Sequence, residues 1–222
     1  GSKIIFSKNR LLTTIAYRIK GKTTYAMEGS IFIAGAGVQW LRDKMKFIKK
    51  AYETEKIIKS MKDNNGIYLV PAFTGLGAPY WDANARGVLS GLTRDTGPKE
   101  IIRATIESVA YQTYDLFEAM KHDGLKPKLV KVDGGMVMNN WFSQFLSDVI
   151  DIKVLRPKVQ ETTALGAAFM AGLHIGVYKS LKDISKNWHL DKSFKPKINS
   201  KIRNSLVKGW SLAIKKTLTK TI

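Results

Sequence analysis

Residues 132–140 read VDGGMVMNN, and this stretch decides the fold. It follows the apolar run 129–132, which we predict to be a buried strand, and it leads into residues 140–150, whose apolar positions repeat at helical spacing. A glycine-rich turn between a strand and a helix brings backbone N–H groups to the positive end of that helix. Such a turn holds a phosphate group or simply reverses the chain. The spacing alone leaves both interpretations open.

Strand-like and helix-like segments alternate along the rest of the chain. We predict strands at 67–70 and 153–155, a hairpin over 11–27, and helices at 28–43, 52–61, 98–121 and 162–172. Between them, residues 71–98 read as a long loop rich in Gly, Pro and aromatic residues, a composition typical of functional loops. The alternation predicts an α/β domain with a mixed sheet flanked by helices on both faces.

A second glycine cluster lies at residues 34–39, AGAGVQ, where Gln39 is one helical turn beyond Gly35. Glycine inside a helix costs roughly 1 kcal/mol relative to alanine, so a close approach at Gly37 should compensate. That approach is to a ligand or to a neighbouring helix, and the residues favour the helix.

Composition excludes several classes of function. The 222 residues include 37 Lys and Arg against 18 Asp and Glu, a net charge of +19, which raises the possibility of a nucleic-acid-binding module. The basic residues are spread along the chain and most are lysines, which argues against specific nucleic-acid recognition. There is no cysteine and the three histidines are scattered, so no metal site is expected. No apolar run reaches the roughly 18 residues that a membrane span needs.

Catalytic groups are hard to find in this sequence. The polar candidates are Asp82, Arg86, Arg94, Asp95, Asp133 and Glu161. None forms a nucleophile–base pair or a spaced acid and base. Asp95 is better explained as a turn residue and Glu161 as a carboxylate at a helix N-terminus.

The two ends of the chain are expected to differ from its body. Gly1 and Ser2 resemble the remnant of a purification tag, and residues 3–197 form the main domain. Residues 198–222 read as an amphipathic helix with a basic outer face, because apolar residues recur every four positions. These are Ile198, Ile202, Leu206, Trp210, Ile214 and Leu218. We expect the helix to dock on the domain through the middle four rather than to bind a membrane.

Two segments of the sequence resemble a signature of a known family. Residues 87–92, GVLSGL, followed by residues 100–107, EIIRATIE, resemble the second signature of the FGGY carbohydrate kinases. Residues 25–43, 70–91, 132–140 and 156–172 most resemble the glycerol kinase branch. The resemblance extends over about residues 7–197. It implies the second lobe of the actin-like, ribonuclease H-like ATPase fold of sugar kinases.

The resemblance also implies a function. Carried over position by position, the nucleotide contacts fall on Gly35, Gln39, Gly135 and Asn139. The intact enzyme would use ATP and Mg²⁺ to convert glycerol to glycerol 3-phosphate. The family's catalytic aspartate, its phosphate-cradling Gly-Thr-Gly turn and the amino-terminal lobe that supplies most glycerol contacts would all lie upstream. We therefore expect no catalytic residue within these 222 positions and no activity from them alone.

Several expectations accompany this reading. The intact enzyme would be cytoplasmic and homo-oligomeric, with neither membrane nor specific nucleic acid as a partner. Met136 and Arg10 replace smaller residues, and Met136 bears on the shape of the adenine side of the pocket. The alternatives are a lobe of a related pentulose kinase and, in another class, a basic nucleic-acid-binding module.

Overall fold

The computed structural model describes residues 1–219, so the last three positions of the predicted terminal segment lie outside it. The strands are β1 Leu12–Ile19, β2 Lys22–Glu28, β3 Tyr68–Val70, β4 Val88–Ser90, β5 Leu129–Lys131, β6 Lys153–Pro157 and β7 Leu190–Phe194. The helices are α1 Gly35–Asp43, α2 Glu53–Lys59, α3 Pro98–His122, α4 Asn140–Ile150, α5 Thr162–His174, α6 Leu181–Ser185 and α7 Ser200–Thr217. A 3₁₀ turn covers Gly135–Met138.

The predicted α/β class with a mixed sheet is confirmed, but the described strands form three small sheets rather than one. In the sheet that positions the glycine turn, β5 pairs with β6 in parallel and β6 pairs with β7 antiparallel. β1 and β2 form the predicted hairpin, and β3 pairs antiparallel with β4. The predicted long loop therefore contains a strand, because residues 88–90 pair with residues 68–70.

Helix α3 is the centre of the core. Pro98 occupies its first turn, and the Glu100 carboxylate accepts a hydrogen bond from the backbone N–H of Gly97 at 2.9 Å, which satisfies a donor at the helix start. Residues 102–112 are all buried, on every side of the helix. A helix surrounded in this way must be central, and α1, α2, α4 and β3 all pack against it.

Two local predictions are wrong. The strand at 129–132 was expected to be buried, yet Leu129 is 44% exposed because β5 pairs on one side only, with β6. The predicted helix over 28–43 begins at Gly35. The segment before it is held to the following loop instead, where the Ser30 carbonyl accepts a hydrogen bond from the N–H of Ala78 at 3.0 Å.

The predicted packing of helices on both faces of the sheet is also incomplete among the described residues. Helix α5 forms as predicted and extends to His174, but Gly172 is its only buried residue. Its small side chains leave much of the helix open, and large apolar residues on it and after it, such as Met170 and Ile175, are exposed.

Helix α7 lies against β3, β4 and α4. Trp210 is 1% exposed and Ile214 is also buried, while Leu206 is partly buried against the same core. Ile202 does not dock as expected: it is 48% exposed, because it lies in the first turn, before the helix reaches the core. Among residues 1–219, no helix is both long enough and apolar enough to span a membrane.

Candidate functional site

The strand–turn–helix unit predicted at residues 132–140 forms as expected. Beyond β5, the Val132 N–H still donates to the Leu155 carbonyl at 3.0 Å, which keeps the chain against β6. Gly134 then adopts φ +84°, a left-handed conformation that glycine reaches without steric cost. The 3₁₀ turn follows, and α4 begins at Asn140. The turn therefore delivers the chain to the N-terminus of α4.

A cavity of about 330 Å³ lies beside this turn. The lining residues come from α1, α2 and the segment before it, α3 and the turn: Val38, Ala51, Tyr52, Thr54, Glu55, Ile106, Gly135, Met136, Met138 and Asn139. Six of them are apolar or glycine, and four carry side chains that can form hydrogen bonds, namely Tyr52, Thr54, Glu55 and Asn139, the usual composition of a small-molecule site. The cavity thus has the size and chemistry to take an aromatic base.

Gly135 presents open backbone to this cavity. A Cβ atom built on it would meet no other atom within 4 Å, so packing does not explain the glycine. Open backbone at the start of a helix suits close approach of a ligand, because the first N–H groups of a helix have no partner within it. The first turn of α4 itself contains no acidic residue, and the carboxylate that reaches it is Glu55 of α2, which accepts from the N–H of Asn140.

Asn139 has a structural task as well as a place in the cavity wall. Its Oδ1 accepts a hydrogen bond from the N–H of Phe142 at 2.9 Å, so it is the N-cap of α4. Its Nδ2 donates to Oγ1 of Thr54 at 3.3 Å. Both the oxygen and the nitrogen of the side-chain amide therefore have partners in the absence of a ligand.

Glu55 is the one carboxylate among the residues that line the cavity in the described part of the chain. It pairs with Lys59 one turn later on α2, at 2.6 Å, and accepts from the N–H of Asn140 at 3.4 Å. Partial burial works against its ionisation, but the hydrogen bond and charge of Lys59 prevail and lower the pKa of the Glu55 carboxyl. Its negative charge is largely compensated by Lys59.

The turn is also held from the side of the sheet. Buried Arg156, on β6, donates through Nη1 to the carbonyls of Val137 at 2.8 Å and Met138 at 3.3 Å. Its Nε pairs with Asp191 of β7 at 2.6 Å. The guanidinium fork thus ties two strands to the turn in one plane. The sequence does not predict that Thr54 and Arg156 belong to this site, since nothing local to either residue signals a partner so distant in the chain.

The four predicted nucleotide-contact residues are placed differently. Gly135 and Asn139 line the cavity, whereas Gly35 and Gln39 do not, although Val38 between them does. Both are exposed on α1. The close approach expected in this helix is made by Gly37, where a Cβ would lie 3.0 Å from Cγ2 of Thr105 on α3.

The remaining polar candidates do not converge on this cavity. Asp82, for example, holds its own loop: its carboxylate accepts from the N–H groups of Asn84 and Ala85 and from Thr219. Within residues 1–219, no three His, Asp or Glu side chains form a group that could hold a metal ion.

Comparison with known proteins gives one family. The C-terminal domain of the FGGY family of carbohydrate kinases matches residues 7–175. The chain is 56% identical over 216 residues to glycerol kinase 1 of Pseudomonas aeruginosa and 53% identical over 219 residues to a glycerol kinase of Clostridium botulinum. These matches cover 97% and 98% of this chain but only 44% of each relative. The chain therefore spans less than half the length of the curated relatives it matches.

Solved structures agree on the fold. Plasmodium falciparum glycerol kinase, solved with ADP, is 37% identical with a TM-score of 0.89, and the match covers 100% of this chain and 44% of that one. A xylulose kinase from Lactobacillus acidophilus is 23% identical with a TM-score of 0.76, over 93% of this chain and 41% of that one. At that identity the likeness concerns the fold alone.

Proposed function

Because the chain belongs to the FGGY family of carbohydrate kinases, as a C-terminal domain of that family, we propose that it is the nucleotide-binding lobe of an ATP-dependent glycerol kinase. The observation that carries the proposal is the 330 Å³ cavity in which the open backbone of Gly135 adjoins the capped N-terminus of α4. The relative solved with ADP supports a nucleotide as its ligand. Gly35 and Gln39 would be secondary contacts at the edge of the site.

Each part of the cavity has a task in this proposal. The apolar wall, which includes Val38, Ile106 and Met136, accommodates the flat base. Gly135 lets the ligand approach the main chain, and the positive end of the α4 dipole favours its negative charge, although the N–H groups of Asn140 and Phe142 already have partners. The larger Met136 narrows the adenine side of the pocket relative to a small residue. The lobe thus holds the adenosine half and orients the phosphates.

We propose that Mg²⁺ is bound by the phosphates of the nucleotide rather than by this lobe. The cavity offers a single carboxylate, Glu55, which is already paired with Lys59. Magnesium in kinases is bound by one or two carboxylates together with the phosphates of the substrate. Because the Glu55 carboxylate is already engaged by Lys59 and by the N–H of Asn140, the ion would be carried by the phosphates and by the other lobe.

In the whole enzyme, the proposed reaction transfers the γ-phosphoryl group of ATP to a hydroxyl of glycerol. Such transfers depend mainly on positioning and on stabilisation of charge. This lobe would fix the nucleotide and help to exclude water, while the proton acceptor and most glycerol contacts would come from the remainder of the enzyme. A cytoplasmic location and a homo-oligomeric state stay part of the proposal.

Glycerol is the favoured substrate among the sugar-kinase alternatives. The glycerol kinases quoted above are 37–56% identical to this chain, whereas the xylulose kinase is 23% identical. Nothing found among the described residues favours the nucleic-acid-binding alternative, and the basic residues are spread along the sequence. We therefore retain glycerol kinase as the single proposal.

The test is titration of ¹⁵N-labelled protein with ADP, followed by NMR. We expect weak binding, with a dissociation constant on the order of millimolar, and coordinated shifts of the Gly135, Asn139 and Gln39 amides. Gly135→Val should abolish these shifts while the fold persists, since nothing within 4 Å would clash with its first side-chain atom.

Gly166→Val is the matched control, because Gly166 is equally open but lies on α5, outside the cavity wall. It should leave ADP binding unchanged. If ADP at ten millimolar, roughly ten times that dissociation constant, perturbs only lysine-rich surfaces, the nucleotide assignment is wrong.

A further inference from the structure

Thr54 is a buried polar residue to which the proposed function assigns no task. It lies in the first turn of α2 and is 2% exposed. Its hydroxyl donates to the Ala51 carbonyl at 2.7 Å and accepts from Nδ2 of Asn139 at 3.3 Å. One small hydroxyl thus joins α2 to the residue that caps α4, across 85 positions of sequence.

These bonds determine the orientation of the Asn139 amide. Its oxygen faces the N–H of Phe142, at 2.9 Å, so a flipped amide would set a donor against a donor. With its nitrogen toward Thr54, the amide keeps one N–H and one oxygen lone pair that the described residues do not use. An amide held in this way is a preorganised donor–acceptor pair in the cavity wall.

We propose that Thr54 is a positioning residue for nucleotide binding: its buried hydroxyl holds the Asn139 carboxamide so that its remaining donor and acceptor meet the edge of the adenine base. The inference rests on the proposed function. An asparagine amide is complementary to adenine, whose amino group donates beside a ring nitrogen that accepts. Without the hydroxyl, the amide is held through its oxygen alone, by the N–H of Phe142, so the remaining ordering of its nitrogen must accompany ligand binding, which weakens affinity.

Other residues around the cavity do not duplicate this role. Glu55, the neighbour of Thr54 on α2, accepts from the backbone N–H of Asn140 rather than from the Asn139 side chain. Arg156 bonds the carbonyls of Val137 and Met138, behind the turn. Thr54 is the residue of the described structure whose side chain bonds the Asn139 nitrogen.

The experiment compares Thr54→Val, which removes the hydroxyl at nearly constant shape, with Thr54→Ser, which keeps it. Wild type and both variants are titrated with ADP and with adenosine by NMR, and the side-chain amide signals of Asn139 are recorded in the free proteins. We expect Thr54→Val to weaken both ligands by the same factor, roughly fivefold, as for one lost hydrogen bond. We expect it to shift the Asn139 side-chain signals, and Thr54→Ser to restore both properties.

Each outcome decides the question. Equal affinity in wild type and Thr54→Val overturns the role of Thr54 and leaves the proposed function standing. If Thr54→Ser loses as much affinity as Thr54→Val, the hydroxyl is not responsible and the role of Thr54 is overturned. If Thr54→Val loses affinity for ADP but not for adenosine, the base is not responsible and the role is overturned as well. No ADP binding by the wild type overturns the proposed function and this inference together. If Thr54→Val does not fold, Thr54→Ala is compared with Thr54→Ser in the same way.

Discussion

At the residue scale, Asp115 is a partly buried ionisable side chain between α3 and α7. Its carboxylate accepts a hydrogen bond from Nε1 of Trp210 at 2.7 Å, below the docked face of α7. Burial raises the pKa of the Asp115 carboxyl to about 7, against the hydrogen bonds from Trp210 and Tyr80, which lower it. The same carboxyl lines a second cavity, beside Arg10 and His122. Its protonation is therefore linked to the stability of the domain.

This residue makes stability depend on pH in a definite direction. In the unfolded chain the Asp115 carboxyl has its ordinary pKa of about 3.8, but in the folded chain its pKa is about 7. Between these values the folded state binds the additional proton, so stability falls as pH rises from about 4 to about 7 and then levels off. The loss attributable to Asp115 is on the order of 4 kcal/mol.

We expect Asp115→Asn to remove this slope, because an amide accepts from Trp210 without ionising. The check is denaturant unfolding of both proteins at pH 4.5, about one pH unit above the unfolded pKa, and at roughly pH 7.5, above the folded one. Wild type should lose stability relative to the variant between the two conditions. A constant difference would mean that Asp115 is already ionised in the folded protein throughout.

At the element scale, α7 is joined to the core chiefly through Trp210. The indole stacks on Tyr111 of α3, with ring centroids 5.3 Å apart and an angle of 18° between the planes. Preceding it, Gly209 lies so close to the ring of Tyr68 that a Cβ would overlap it. Gly209 therefore lets α7 approach β3 closely, and Trp210, the next residue, inserts its ring beside α3.

Trp210→Ala should therefore destabilise the whole domain rather than merely release its last helix. Truncation of a buried tryptophan costs about 3–5 kcal/mol, and here the Asp115 carboxyl also loses a donor. The melting temperature should fall by several degrees. Ile202→Ala is the control, because Ile202 lies on the same helix but is exposed, and it should leave the melt nearly unchanged. Equal effects of the two substitutions would contradict this docking.

At the scale of the whole molecule, the positive charge and the position of the cavity suggest how the lobe acts. The net charge of +19 attracts anions to the surface and would speed the encounter with the proposed nucleotide, without by itself selecting a site. In the proposed function, selection comes from the cavity at the N-terminus of α4. Added salt should therefore weaken nonspecific phosphate contacts far more than contacts with the base.

We expect the 222-residue chain, assayed alone, to consume no ATP in the presence of glycerol. The cavity contains no acid and base arranged for proton transfer, and its one carboxylate is paired with Lys59. The measurement is a coupled assay of ADP release, with a curated glycerol kinase relative as the positive control. Turnover above the blank that depends on glycerol would show that the chain carries a catalytic group we have not identified.

The elements that the sequence predicted best are those whose ends are signalled locally. Helix α3 begins at Pro98 after Gly97 and ends before Gly124, which adopts φ +85°. Helix α4 begins directly after its cap, Asn139. Proline, glycine and asparagine at these places act through their own backbone or side-chain geometry, so neighbours in sequence suffice. Strand β7, with charged and exposed residues, carried no such signal and was missed.

The sequence by itself determined the family, the α/β class, and the presence of Gly135 and Asn139 in one glycine turn. The tertiary structure decided which residues meet them. Thr54 reaches Asn139 only because α2 packs beside α4, and Gly35 and Gln39 lie outside the cavity because α1 turns Val38 toward it. Local geometry is encoded over a few bonds, whereas contacts between distant segments depend on the packing of the entire core, which no short pattern contains.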